Sequence, residues 1–292
     1  MKRRSFVTAL IAAPFVITRP AVAQVPAVAI AFPLQTPIHV TKSGLRARDA
    51  EALSLWYQTH VGLQELSREG ATIHLGAGGI TLLEITEVEG IVLAPMRVAG
   101  LYHNAYLLPS RHDLARWVLN ASNLGMRIDG AADHLVSEAI YLTDPEGNGV
   151  EIYADRPANE WEWNNGQVEM ASLQIDFQGM VAELQGQETR WFGAPPGTCL
   201  GHVHMKIGDT ARASAFWRET MGFDAVRERM GASFLSTGGY HHTIAVNEWN
   251  SFGAGPRDPI HVGLDFVELG GSAVTAAASY QDDWGNSIRM AV

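Results

Sequence analysis

Residues 134–151 read HLVSEAIYLTDPEGNGVE, and the rest of the chain is best read outward from them. The stretch opens on His134 and runs through the apolar segment Ala139, Ile140, Tyr141 and Leu142. Asp144-Pro145-Glu146-Gly147-Asn148 then forms a turn, because proline fixes φ while glycine and asparagine tolerate the left-handed region. A second strand follows from Val150 to Tyr153, where alternation sets Glu151 and Tyr153 on one face and Val150 and Ile152 on the other. A carboxylate in mid-strand between apolar neighbours is disfavoured unless the strand is an edge facing water.

Around this stretch the chain repeats itself with a period of about fifty residues. Asp49 and Asp209 each sit as a helix N-cap, followed seven and eight residues later by Trp56-Tyr57 and Phe216-Trp217. Thirteen residues after each Asp comes a helix-ending glycine, Gly62 and Gly222. In the second of these helices Ala213, Phe216, Trp217 and Thr220 fall at i, i+3, i+4 and i+7, which predicts a buried stripe. The turn before Glu151 has its own echo in Asp282-Asp-Trp-Gly-Asn-Ser-Ile-Arg289, where Arg289 takes the place of Glu151.

The repeating unit is strand, helix, then three strands. Module one covers 37–86, module two 100–156, module three 199–250, and an abbreviated module four 260–292 without an amphipathic helix. Residues 157–198 connect modules two and three, with a short helix expected near 177–184. The fold class is therefore α+β: four βαβββ modules whose curved mixed sheets pair, since a sheet with a helix on one face must cover the other.

Hydrophobic content of 47% with 18% charged residues is that of a globular chain with a sizeable core. The net charge of −10 and the absence of a basic cluster beyond the N-terminus exclude nucleic acid as a partner. The lone cysteine, Cys199, excludes an intramolecular disulfide. Residues 1–23 form an export signal: a basic start at Lys2-Arg3-Arg4, a short apolar run from Val7 to Ile17, and the small-residue site Ala21-Val22-Ala23. The run is too short for a membrane span, so no stable membrane insertion is expected after processing. Arg3-Arg4 followed by Ser5-Phe6-Val7 resembles a twin-arginine signal, which makes the twin-arginine machinery a partner and the periplasm or exterior the destination.

The order His, apolar run, Tyr, Asp-Pro-x-Gly, Glu in 134–151 resembles the signature of the type I extradiol ring-cleavage dioxygenases. With GLYHNAYLLPSR (100–111), GHVHMKIGD (201–209) and GGYHHTIAVNEWN (238–250), the chain looks closest to the catechol 2,3-dioxygenase branch of the vicinal oxygen chelate superfamily. That superfamily also holds the glyoxalases and bleomycin resistance proteins. The resemblance implies that a metal lies between two paired modules and that Glu151 is one of its ligands. It also implies that His134 and Tyr141 stand over a bound catechol. His242, with His241 beside it, matches the acid/base position of the family's fourth-strand element.

Two more ligands are needed. His103 opens module two, and His202 lies seven residues before the capping Asp209, in the family's metal position. The same place in module one is Lys42, which cannot ligate while charged. Two imidazoles and one carboxylate on one face leave three positions open, which suits Fe(II), with Mn(II) left open, better than Zn(II). The expected reaction is Fe(II)-dependent extradiol cleavage of a catechol with O2 to a 2-hydroxymuconic semialdehyde-type product. A glyoxalase-type isomerase or lyase, which would want a fourth protein ligand such as Glu84, is the alternative. A non-catalytic binding protein on the same fold is another. The oligomeric state, a homo-oligomer included, stays open.

The ligand inventory also predicts which modules pair. Module two holds His103 and Glu151 and needs the imidazole of module three, so two should pair with three, leaving one to pack with the shortened four. The nitrogens of His103 and His202 should then lie within about 4 Å of each other.

Overall fold

The computed structural model describes residues 30–292, so the expected export segment at 1–23 lies outside the described residues. The first module is β1 (His39–Ala47), α1 (Ala50–His60), β2 (Gln64–Glu69), β3 (Thr72–Ala77) and β4 (Ile80–Glu87). The second is β5 (Gly100–Leu107), α2 (Arg111–Asn123), β6 (Gly130–Asp133), β7 (Ser137–Thr143) and β8 (Gly149–Asp155). A small hairpin, β9 (Trp163–Asn164) with β10 (Gln167–Val168), and the helix α3 (Phe177–Ala182) lie in the connection. The third module is β11 (Cys199–Lys206), α4 (Thr210–Ala215), β12 (Asp224–Arg229), β13 (Ala232–Ser236) and β14 (Ile244–Asn247). The last has only strands: β15 (Gly263–Gly270), β16 (Ala278–Gln281) and β17 (Ser287–Met290).

Local chemistry explains the helix limits. Asp49 accepts from Ala52 N–H and Asp209 from Arg212 N–H, N-caps of a kind that contribute about 1 kcal/mol each. Gly62 and Gly222 turn the chain at φ of 85° and 76°, a region that only glycine enters freely. One expectation fails here. Thr220 is exposed although Ala213 and Trp217 are buried, because α4 ends at Ala215 and Phe216–Thr220 winds as a wider π-turn. The extra residue per turn rotates the stripe, and Met221 takes the inward position.

Two large sheets result. The eight-stranded one runs β12-β13-β14-β11-β5-β8-β7-β6, so modules two and three share it through the antiparallel pair β11–β5. The seven-stranded one runs β16-β17-β15-β1-β4-β3-β2, joining modules one and four through β1–β15. β8 is therefore an interior strand between β5 and β7 rather than a wet edge, and Glu151 is only 2% exposed.

Register places the residues that matter in one row. His202 on β11 faces Ala105 on β5, Ala105 faces Glu151 on β8, and Glu151 faces Tyr141 on β7. Ala105 is fully buried and short, so the longer side chains of His202 and Glu151, two strands apart, meet above it.

Candidate active site

His103, Glu151 and His202 converge, each offering one ligand atom within 4.8 Å of the others. Glu151 Oε2 is 3.0 Å from His103 Nε2 and 3.2 Å from His202 Nε2. No Lys or Arg pairs with Glu151 among the described residues; its ionic neighbours are these two imidazoles. Burial lowers His202 to about 4, so at neutral pH it carries no charge to offset the carboxylate. An unpaired buried carboxylate costs several kcal/mol.

The hydrogen bonds behind the site show how each ring is turned. Asp155 can only accept, and it takes Tyr240 O–H at 3.3 Å. Tyr240 Oη then accepts from Tyr153 O–H at 2.8 Å, and Tyr153 Oη accepts from His202 Nδ1–H at 3.3 Å. That leaves a lone pair on His202 Nε2, aimed at Glu151. Gly201 makes the approach possible, since a Cβ there would lie 1.8 Å from Tyr153 Oη. A lone pair facing a carboxylate at 3.2 Å is repulsive unless a cation lies between them. His103 Nε2 is likewise buried without a hydrogen-bond partner. The donor set thus fits a divalent metal.

The seven-stranded sheet supplies a contrast. Lys42, which holds the position of His202, lies 2.5 Å from Glu84 and 3.6 Å from Glu268. An ammonium meets the carboxylates there. Glu84 is thereby tied up in the other sheet, bonded to Lys42, and the described residues hold one three-residue metal cluster with no fourth ligand in it. Arg289 stacks 3.5 Å over Phe266 and is half-exposed. His39 opens β1 in the other sheet, its Nδ1 3.2 Å from Thr36 O.

The remaining sequence candidates surround the cluster. A cavity of about 260 Å³ is lined by His134, Tyr141, His242, Phe234 and Trp249 together with the three ligand residues. His134 Nδ1 lies 2.6 Å from Ala171 O, an acceptor, so Nδ1 carries the proton and Nε2 accepts from Tyr141 O–H at 2.6 Å. Tyr141 Oη keeps its lone pairs for a ligand. His241 and His242 are both buried, and their rings share a hydrogen bond, Nδ1 to Nδ1 at 2.8 Å. His241 Nε2 donates to Asp155 at 2.9 Å, so its Nδ1 accepts the His242 Nδ1 proton. His242 Nε2 is left as a free lone pair at the cavity. Burial pushes His242 well below its ordinary pKa, so it is neutral.

Asp155 was missed by the sequence reading, as were Tyr153 and Tyr240 as its intermediaries. Tyr153 and Asp155 follow Glu151 at i+2 and i+4 on the same strand face, a signal that was there to be used. His204, one further step along β11 from His202, donates nothing to the cluster; its Nε2 lies 2.9 Å from Asn247 Nδ2.

Comparison with known proteins agrees with the fold. Residues 37–152 match the family described as the Glyoxalase/Bleomycin resistance protein/Dioxygenase superfamily. A Bacillus subtilis (strain 168) catechol-2,3-dioxygenase is 38% identical over 236 residues, covering 79% of this chain and 82% of that protein. Among solved structures, glyoxalase I from Zea mays superposes with a TM-score of 0.53 at 13% identity, over 87% of this chain and 92% of that one. A Bacillus subtilis candidate dioxygenase gives 0.55 at 9% identity, over 88% and 85%. These two likenesses concern the fold. The chain belongs to the glyoxalase/bleomycin resistance/dioxygenase superfamily, that is the vicinal oxygen chelate superfamily, in its catechol dioxygenase branch.

Proposed function

We propose that the protein is an extradiol dioxygenase that opens the ring of a catechol with O2 beside the diol, giving a 2-hydroxymuconic semialdehyde-type product. Fe(II) is the metal its donors suit best, and Mn(II) suits them nearly as well. The observation that carries this reading is the buried His103–Glu151–His202 cluster with His242 Nε2 unengaged beside it. The three protein ligands would leave room for both substrates. A metal held there supplies acidification of the diol and an electronic path from catechol to O2.

The chain's own residues do the rest. His242 Nε2 takes a phenolic proton, and the positive charge this creates is spread through His241 to Asp155. Tyr141 Oη accepts from the substrate hydroxyl while its own proton rests on His134. Phe234 and Trp249 flank the ring and exclude water. Oxygen uptake by anaerobically purified, metal-analysed protein given catechol tests the reading. Uptake matched by ring-opened product supports it, and a metal-loaded protein that consumes no O2 with any catechol overturns it. Among the described residues the glyoxalase-type alternative lacks the fourth ligand it would need, since Glu84 is bonded to Lys42 in the other sheet.

We propose in addition that the protein is exported through a twin-arginine signal, on the strength of Arg3-Arg4, the short apolar run and Ala21-Val22-Ala23. Protein isolated from its native host should begin at Gln24 and lie outside the inner membrane. N-terminal sequencing decides this; an intact Met1 in the cytosolic fraction would end the idea. No helix among the described residues is long and apolar enough to cross a membrane.

A further inference from the structure

Next to the metal pocket lies a second, larger cavity of about 600 Å³, and Tyr102, His103 and Tyr141 line both. Its lining also includes Lys206, Arg257 and His261. Lys206 follows His202 and His204 by alternation along β11, four residues or about 13 Å from His202. It pairs in register with Gly100, and Arg257 Nη1 lies 3.7 Å from where a Gly100 Cβ would stand, so the two cations flank one point of the backbone.

Neither cation has an acidic partner of its own among the described residues. Burial lowers Lys206 below its ordinary pKa with no acid pulling the other way. Burial, then the charge of Arg46, lowers Arg257 to about 10 against weaker pulls from Asp265 and Asp282. His261 Nδ1 is buried without a hydrogen-bond partner. Of the acids that also line the cavity, Glu146 turns Oε1 to the backbone N–H of Arg48 and Asp49 while its Oε2 is buried without a partner, and Asp129 lies 3.5 Å from Arg127; neither pairs with Lys206 or Arg257. Half-buried cations left without counter-charge are costly, and an entering anion relieves that cost through charge-assisted hydrogen bonds.

We propose that this cavity holds the anionic end of the substrate, so that the catechol taken by the metal pocket carries a carboxylate on a side chain a few bonds from the ring. The proposal rests on the catechol dioxygenase reading and sharpens its substrate class. The ring sits by His103 and Tyr141, and the carboxylate is received by Lys206 and Arg257.

The test compares 3-(3,4-dihydroxyphenyl)propanoate with its methyl ester, a neutral compound of similar shape, by equilibrium titration of the metal-loaded protein without O2. The acid should bind about 10–100-fold tighter than the ester, the range of one or two hydrogen bonds to a charged group. The Lys206→Met/Arg257→Met double variant should lose that preference while its affinity for catechol itself stays within about twofold. Equal binding of acid and ester by the unmodified protein overturns the proposal, and so does a preference that survives in the double variant. Should the double variant not fold, Lys206→Met alone, checked by circular dichroism, replaces it. Oxygen uptake with plain catechol, run in parallel, separates the two levels. If no catechol is consumed yet the acid still outbinds the ester, the anion subsite stands and the reaction falls. If catechol is cleaved while acid and ester bind alike, the subsite falls alone.

Discussion

Glu151→Gln is expected to empty the metal site. The amide keeps the size of the carboxylate and its place above Ala105, so the fold should survive. What disappears is the charge that two neutral imidazoles cannot replace. Changes that only disturb the partners of a ligand typically cost about 10–100-fold in metal affinity, so loss of the anionic ligand itself should exceed about 100-fold. Metal content after dialysis and ring cleavage should collapse together. Arg289→Glu, at the corresponding place in the fourth module, is the control. Arg289 is half-exposed and stacked on Phe266, so its loss costs about 0.5–1 kcal/mol of stability and should leave metal and activity nearly unchanged. A Gln variant that holds its metal at the wild-type level would show that Glu151 is not a ligand.

His242→Asn should separate chemistry from metal binding. His242 touches none of the charge on Glu151, and its free Nε2 is a neutral imidazole lone pair at the cavity that can take a proton. Removing a general base typically costs about 10²–10⁴ in rate. The expected result is a fall of that order in kcat with metal content within about twofold of wild type. Asp155→Asn should act in the same direction but less, about 10–100-fold, because Asp155 works through His241 and the amide oxygen can still accept its Nε2–H. A positioning role also predicts that the effect of Asp155→Asn falls on kcat rather than KM. Steady-state rates on metal-quantified samples decide both. A metal-replete His242→Asn enzyme with wild-type kcat would move the base elsewhere.

Much of the architecture was legible because it is written in local signals. Asp49, Asp209, Gly62 and Gly222 mark helix ends by side-chain capping and positive φ, and these need no knowledge of the rest of the chain. The module pairing was legible by elimination: Lys42 and Arg289 cannot ligate, so the second and third modules had to face each other, and the β11–β5 pairing joins them. The rotation of the stripe past Ala215 was not legible, since a π-turn leaves the residue pattern of an ordinary helix until the backbone is seen.

The side-chain frame of the site lay further from reach. Asp155 sits on β8, Tyr240 and His241 follow β13, and His202 is on β11, so the chain of protons joining them crosses three segments that only the folded sheet brings together. Residue order alone specified the repeated module, the side chains able to bind a metal and the ones that cannot, because ligand chemistry and capping are properties of single residues and short spacings. Folding in three dimensions settled which nitrogen each histidine presents and which cations stand unpaired beside the pocket. Tautomer and burial depend on what lies across the sheet, and strand register, not sequence distance, sets that.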